Sequence, residues 1–522
     1  MRPLVLLLVL VSFCCGAETL YNGIVLPDVW PPRDRAPSRE PMPVPYLESP
    51  PAVMPIDVGR QLFVDDFLVA QTTMQRKYHK AEYYAGNPVL QPDKPWETQA
   101  ESQNQPAPTA MVFSDGVWYD KQDGLFKMWY MAGYCHGTAY ATSRDGIHWD
   151  KPELDVVPGT NFVHTTQRDS ATVWLDADEK DPARRYKMFV YVRPYEKKHL
   201  AVYFSPDGIH WSDAAAHSGP LGDRSTVFYN PFRKVWVYSI RDYAHPGIGR
   251  YRRYWEHADV IEAAKWEEGQ APFWVGADTL DAPRPDVNNT PCELYNLDAA
   301  GYESLMIGLF SIWRGQPQDR AKPNDLCIGF SRDGFHWQRP THEPFVPVSE
   351  NVGDWNWANI QSAGGCCVIV GDRLYFYVSG RKGVPGSPAS GVCSTGLATL
   401  RRDGFASMEA GADGGVLTTR PVLFKGRELF VNASVTGELR AAVIDESGAV
   451  IPGFSEQDCT PWKGDSTRQR LSWNSSDLGQ LAGKPVRFRF SMRAGQLYSF
   501  WVSPDESGAS GGYYAGGLVE KL

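Results

Sequence analysis

The stretch SRDGIHW, Ser143 to Trp149, returns as SPDGIHW at Ser205 to Trp211 and as SRDGFHW at Ser331 to Trp337. Asp145 and Asp207 lie 62 positions apart, and Asp207 and Asp333 lie 126 apart, close to twice that interval. The spacing predicts a further copy between them. WEHADVIEAAKW, Trp255 to Trp266, fills the slot and also ends on tryptophan; it reads as the same unit with its turn rebuilt as a short helix. RRDGFASM, around Asp403, is a fifth and worn copy.

Each unit has one interior. An apolar strand meets a polar turn, then come a second and a third strand, then the Asp-Gly turn. The first unit reads GVWYD, LFKMWYMA, TAYATS and RDGIHW; the second reads TVWLD, YKMFVYV, LAVYFS and PDGIHW. In the fourth unit LYNLD is the inner strand, AAGYE the turn and SLMIGLFSI the second strand. Four short strands repeated five times define a five-bladed β-propeller, an all-β fold. Aspartate bonds neighbouring backbone amides and glycine accepts positive φ, so Asp145, Asp207 and Asp333 read as turn builders and the tryptophans as packing between blades.

The chain has 522 residues, 43% of them hydrophobic and 13% aromatic, enough for more than one core. Net charge is -9 and no Lys/Arg run occurs, which argues against nucleic acid or an anionic membrane as partner. Arg2, the apolar run Leu4 to Phe13 and the small residues before Ala17 read as an export signal over residues 1–17. The expected location is periplasmic or extracellular; a lipoprotein anchored at Cys14 or Cys15 is the lesser alternative. The run is shorter than the ~20 residues that span a bilayer, and no later segment is apolar enough to do so. Seven cysteines follow, irregularly spaced, with neither a CxxC pair nor HExxH, so a zinc site is not supported. No metal ligand or cofactor is assigned, and calcium in the central channel would need only scattered oxygens that leave no motif.

Residues 18–55 are proline-rich and read as an extended surface segment. The propeller is expected over 56–412 and a β-sandwich over 413–503, where RELFVNASV, ELRAAVID, RQRLSW, PVRFRFSMR and LYSFWV alternate with period two. The Gly- and Ser-rich end, 504–522, reads as a flexible tail.

In an up-and-down blade, the start of strand one and the end of strand two share one end, opposite the Asp-Gly turns. That end, the top funnel, collects Asp115, Asp169, Asp223 and Glu293 from strand-one starts. Arg168 and Arg224 stand beside these acids, and Arg193, Arg241, Arg314 and Arg381 come from strand-two ends. Gln361 begins blade five, while Trp355 and Trp357 precede it and could stack on sugar faces or pack between blades. Tyr134 and His136 are weaker candidates in a top loop. Glu256 and Glu303 fall at the bottom. Converging acids suit glycosidic bond cleavage, one carboxyl as acid and another as nucleophile or base. Arginines could hold an acid charged or bind an anionic sugar substituent. The same acids and arginines would equally serve as strand-end ion pairs, so both readings stand.

SDGVWYD, RDSATVWLD, GDRSTVFYNPFRKVW, NPVLQPDKPWE and the SxDGxHW turns resemble secreted bacterial proteins classed with glycoside hydrolase family 32. That family belongs to the five-bladed propeller superfamily that also holds families 43, 62, 68 and 130. The resemblance spans about residues 56 to 503 and implies an exported hydrolase of a plant, algal or microbial glycan, an oligo- or polysaccharide, possibly anionic. It implies Asp115 as nucleophile or base and Arg168-Asp169 as the transition-state stabiliser, with Ser170 where the family has proline. The family's blade-three acid has no match; Glu293 is the substitute, with Asp223 second. The alternatives are a non-catalytic carbohydrate-binding propeller and a family 130-like phosphorylase.

Overall fold

The protein is described here by a computed structural model covering residues 18–521 except 103, 195–197, 244 and 475. The expected export signal lies outside these residues. Five antiparallel sheets form the propeller. Blade one is Ala110–Asp120, Leu125–Ala132, Gly137–Ser143 and Phe162–His164. Blade two is Arg168–Leu175, Tyr186–Val192, Leu200–Ser205 and Ala216–His217. Blade three is Thr226–Asn230, Val235–Asp242, Tyr251–His257 and Phe273–Gly276. Blade four has Glu293–Glu303, Leu305–Trp313 and Asn324–Ser331, edged by single bridges to Gln338 and Val346.

Blade five closes the ring. Asn359–Ser362, Val368–Val370, Arg373–Arg381 and Cys393–Arg401 receive their outer strand, Glu82–Tyr83, from the segment before blade one. The strands are aromatic and β-branched because both faces of each blade are covered by neighbours. Val173, Met188, Phe189, Val202, Val237 and Leu309 are all buried.

The repeated turns are the joints between blades. Asp145 Oδ1 accepts the amides of Ile147 and His148 at 2.8 Å each, and Gly146 takes φ +74°. Asp207 and Asp333 repeat this pattern. Each turn then docks on the preceding blade. Tyr377 of blade five donates to the Gly146 carbonyl, Trp129 of blade one to that of Gly208, and Trp274 of blade three to that of Phe335, all at 2.7 Å. In the rebuilt unit a short 3-10 helix, Glu262–Ala264, replaces the turn and Trp266 packs on Tyr238.

After Asp403 the chain leaves the propeller. Its next strand, Ala406–Ala410, joins an eight-stranded sheet of the β-sandwich. Two 17-residue strands, Glu428–Ile444 and Arg487–Ser503, run through that unit. Four of the expected strands are therefore halves of two long ones, bent at bulges near Ala433 and Glu438. The N-terminal side contributes Gln61–Leu62, Val69–Thr72 and Gln75–Tyr78. The proline-rich segment does not merely lie extended on the surface. Leu20, Ile24, Leu26, Val44 and Tyr46 enter the sandwich core.

The chain end is paired, where a flexible tail is expected. The amides of Ala515, Gly516 and Tyr119 bond Gly301, Cys367 and Gly516 carbonyls at 2.8 Å, and Leu518–Val519 pairs with Val368–Val370. The tail therefore crosses the bottom of the propeller from blade four to blades five and one. The seven cysteines among the described residues are free thiols, all buried. No helix among the described residues is long and apolar enough to cross a membrane.

Candidate functional site at the propeller top

Bulges aim the polar residues of the inner strands. Pairing shifts between Met111 and Gly116, between Arg168 and Ala171, and between Leu294 and Asn296. Each extra residue breaks the in-out alternation and turns a polar side chain toward the axis.

Asp169 and Asp223 come together. Asp169 is 9% exposed and pairs with Arg193 at 3.3 Å; Asp223 pairs with Arg241 at 2.7 Å. Burial pushes the Asp169 carboxyl above its ordinary range, and the Asp223 charge pushes it the same way against Arg193 and Arg224. A cavity of ≈ 630 Å³ opens beside Asp223 and Arg241, lined by Tyr191, Lys198, Tyr243, Arg253 and Trp266. Tyr243 is 59% exposed there, with the Arg241 guanidinium 4.8 Å from its ring.

Asp115 sits deeper than expected. Its strand begins at Ala110, ahead of the GVWYD run expected as the strand, which carries Asp115 below the rim. It is fully buried; Oδ2 accepts the Phe113 amide at 2.8 Å and Oδ1 lies 2.7 Å from Arg168, itself fully buried. Burial lifts its pKa to about 6 against the pull of Arg168. Both oxygens are engaged within the wall, so Asp115 and Arg168 form a buried buttress under the site.

Glu293 stands apart from the Asp169–Asp223 pair. Arg250 holds its carboxylate at 2.5 Å on the blade-four rim, and Arg250 in turn lies 5.1 Å from the Tyr295 ring. Arg314 faces blade four's outer layer, bonded to Asp325 at 3.2 Å and to the Ala282 carbonyl. Trp355 is wedged in the space left by Gly380 and Gly396 and meets Tyr83 edge-on. Trp357 is 6% exposed beneath Arg320. Trp355 is half-buried and Trp357 buried, and both pack within blade five. Gln361 is buried and donates to Asn359 at 3.0 Å. Tyr134 faces Arg381 at 5.6 Å, while His136 is exposed against Phe162. Glu256 pairs with Arg233, and Glu303 with Arg60 and Arg402, both at the bottom end.

Four further groups were not legible as site residues. Tyr295 sits at the blade-four bulge, 7% exposed, and accepts from Lys322 Nζ at 2.7 Å. Burial pushes its phenol up, but Lys322 and Arg381 outweigh this and leave its pKa below the ordinary value. Asp298 lies deeper on the same strand, where Ser114, Asn296 and Ser362 donate to it at 2.8, 2.8 and 2.5 Å. AAGYE, expected as a turn, is strand, so Asp298 falls mid-channel. Arg252 is fully buried and donates to the Arg224 carbonyl at 2.7 Å. Lys322 lies in a loop without any repeat. The register of LYNLD across the bulge is the one sequence signal that reaches this set.

Among the described residues, one group could hold a metal: Asp278, Asp281 and His342, whose ligand atoms lie within 4.8 Å of one another. Arg339 already binds Asp281 at 2.5 Å there, which makes the cluster an ion-paired joint.

No family model and no curated protein matches this chain. Solved structures do. An N-acetylgalactosamine deacetylase from F. plautii, in complex with blood group B trisaccharide, aligns at TM-score 0.40 and 14% identity over 65% of this chain and 96% of that one. A fructofuranosidase from Schwanniomyces occidentalis aligns at 0.37 and 11% over 81% and 96%. An exo-beta-1,3-galactanase from Phanerochaete chrysosporium aligns at 0.34 and 11% over 78% and 99%. The chemical reading rests on the funnel residues themselves.

Proposed function

We propose that this protein is an exported glycoside hydrolase acting on a plant, algal or microbial glycan, with Asp169 and Asp223 as its carboxylate pair. The carrying observation is that the two acids share one funnel wall while burial and like charge keep Asp169 inclined to hold its proton. Two neighbouring carboxyls whose surroundings separate their protonation fit acid and base roles. Asp169 then protonates the leaving oxygen. Asp223, held by Arg241, supplies the carboxylate that attacks the sugar or activates water. Asp115 and Arg168 position the wall behind them, a different assignment from the one the family resemblance implies. The cavity beside Asp223, with Tyr243 at its mouth, suits a neighbouring sugar unit.

The test is hydrolysis of a broad glycan panel by wild type, Asp169→Asn and Asp223→Asn. Loss of a proton-transfer group lowers the rate about 10²–10⁴-fold, so both variants should stay folded and lose turnover on that scale. Equal release by all three proteins would remove the pair from the mechanism. Saturable glycan binding without turnover by wild type would favour a non-catalytic carbohydrate-binding propeller.

A further inference from the structure

The funnel holds more positive than negative charge. Asp115, Asp169 and Asp223 each have an arginine partner. Arg224, Arg252, Arg381 and Lys322 have no ion pair among the described residues; Asp298 offsets Arg224 and Arg252, with a smaller pull from Asp169 on Arg224 and from Asp223 on Arg252. Arg224 is 1% exposed and Arg381 4%. Both guanidiniums lie against one ring, Phe113, at 3.8 and 5.4 Å. The Arg381 side chain makes one hydrogen bond among the described residues, to Ser390 Oγ at 3.1 Å, while Arg224 donates to the Phe113 carbonyl at 3.0 Å and to Ser114 Oγ at 3.1 Å. The buried Nε atoms of Arg224 and Arg381 have no acceptor. Lys322 closes the third side through Tyr295. Charges withdrawn from water without a counter-charge are costly to hold. Such an excess persists most readily where a ligand supplies the anion.

We propose that Arg224, Arg381 and Lys322 form a seat for an oxyanion carried by the sugar, a uronate carboxylate or a sulfate ester, next to the Asp169–Asp223 pair. Planar guanidinium forks match carboxylate and sulfate oxygens two at a time, and Lys322 adds a point charge. Asp298 and the Arg-paired acids leave the seat net positive, so a neutral sugar would leave that charge unmatched. This inference rests on the funnel being a sugar site, and it narrows the glycan to an acidic one.

Monosaccharides contain no bond for the enzyme to cut, so their binding tests the seat apart from turnover. Calorimetric titration of the wild-type protein would compare glucuronate, galacturonate and glucose 6-sulfate with glucose and galactose, and with inorganic phosphate. At least one acidic sugar should bind about tenfold or more tightly than its neutral parent, the scale of one charged hydrogen bond, and more weakly as salt rises. Lys322→Met, at a half-buried position, should abolish that preference; Arg381→Met should do the same if it folds. Equal affinity for acidic and neutral sugars, or binding of neither, would overturn the seat. So would acid-selective binding untouched by Lys322→Met. Tighter binding of phosphate than of any acidic sugar, with phosphate-dependent release of sugar phosphate from the glycan panel, would assign the cations to free phosphate instead. Acid-selective binding with no glycan hydrolysed would keep the seat and reject the hydrolase reading.

Discussion

Asp169 and Asp115 are both buried carboxyls, yet their neighbours divide their roles. Asp169 has Asp223 as a like-charged neighbour and its pKa is raised. A general acid works only while protonated, so kcat/KM should fall as pH rises through that raised pKa. A pH profile of wild type checks this, and the alkaline limb should vanish in the residual rate of Asp169→Asn. Asp115 instead neutralises Arg168, and neither is exposed. Removing one member of a buried pair leaves an uncompensated charge, at a cost of about 3–5 kcal/mol. Asp115→Ala should therefore lose stability on that scale in denaturant unfolding. Unchanged stability would contradict the buttress role.

The Asp-Gly turn does its work through its glycine as much as through its aspartate. Gly208 has φ +81° and faces the Trp129 ring of the preceding blade, where a Cβ would collide. The Trp129 indole bonds the same residue's carbonyl. Gly208→Ala therefore strains the backbone and opens a joint between blades. It should destabilise the protein by about 2 kcal/mol, within the usual range for core substitutions. Catalytic rate per folded molecule should stay at the wild-type value, because the turn lies at the end opposite the funnel. Urea unfolding and active-site titration separate the two effects. Bulges play the complementary part at the top: they spoil strand pairing locally and so aim Asp169 and Tyr295 inward.

The propeller and sandwich are fastened by charge and by both chain ends. Asp403, at the turn between them, receives Arg60 at 2.9 Å, Tyr302 at 2.6 Å and Ser499 at 2.7 Å. Burial would raise its pKa, but Arg60 and Arg402 bring it down to about 2. A folded pKa below the unfolded one means that the stabilisation is complete above about pH 4 and is lost as pH falls toward 2. It amounts to about 2 kcal/mol. In acid unfolding from pH 5 to 2, wild type should lose more stability than Asp403→Asn. The tail offers a second test. Its backbone bonds to blades one, four and five, each worth about 1 kcal/mol, make deletion of residues 510–522 cost about 5 kcal/mol. Thermal unfolding should shift well down; an unchanged midpoint would make the tail dispensable.

The repeat interval and the strand-turn-strand pattern of each unit were enough to define five blades, because blade geometry is local and its turns carry distinctive Asp, Gly and Trp residues. That Asp169 and Asp223 hold the same position in successive units was legible for the same reason, although their pairing with each other was not read from it. The rest depended on contacts between distant parts of the chain. Asp115 and Glu293 were read at the same funnel end although offset by a couple of residues, and bulges and strand length moved one inward and held the other at the rim. Trp355 and Trp357 suited sugar stacking and blade packing alike, and Gly380, Gly396 and Arg320 lie against them. Lys322, Arg252 and Asp298 belong to no repeat, so only the closed ring brings them to the funnel. The same closure brings residues 82–83 to blade five and residues 513–519 across the bottom. Local alternation specifies a strand and the face it hides, while a site at the axis of a ring is set by five strands whose separation in sequence carries no pattern.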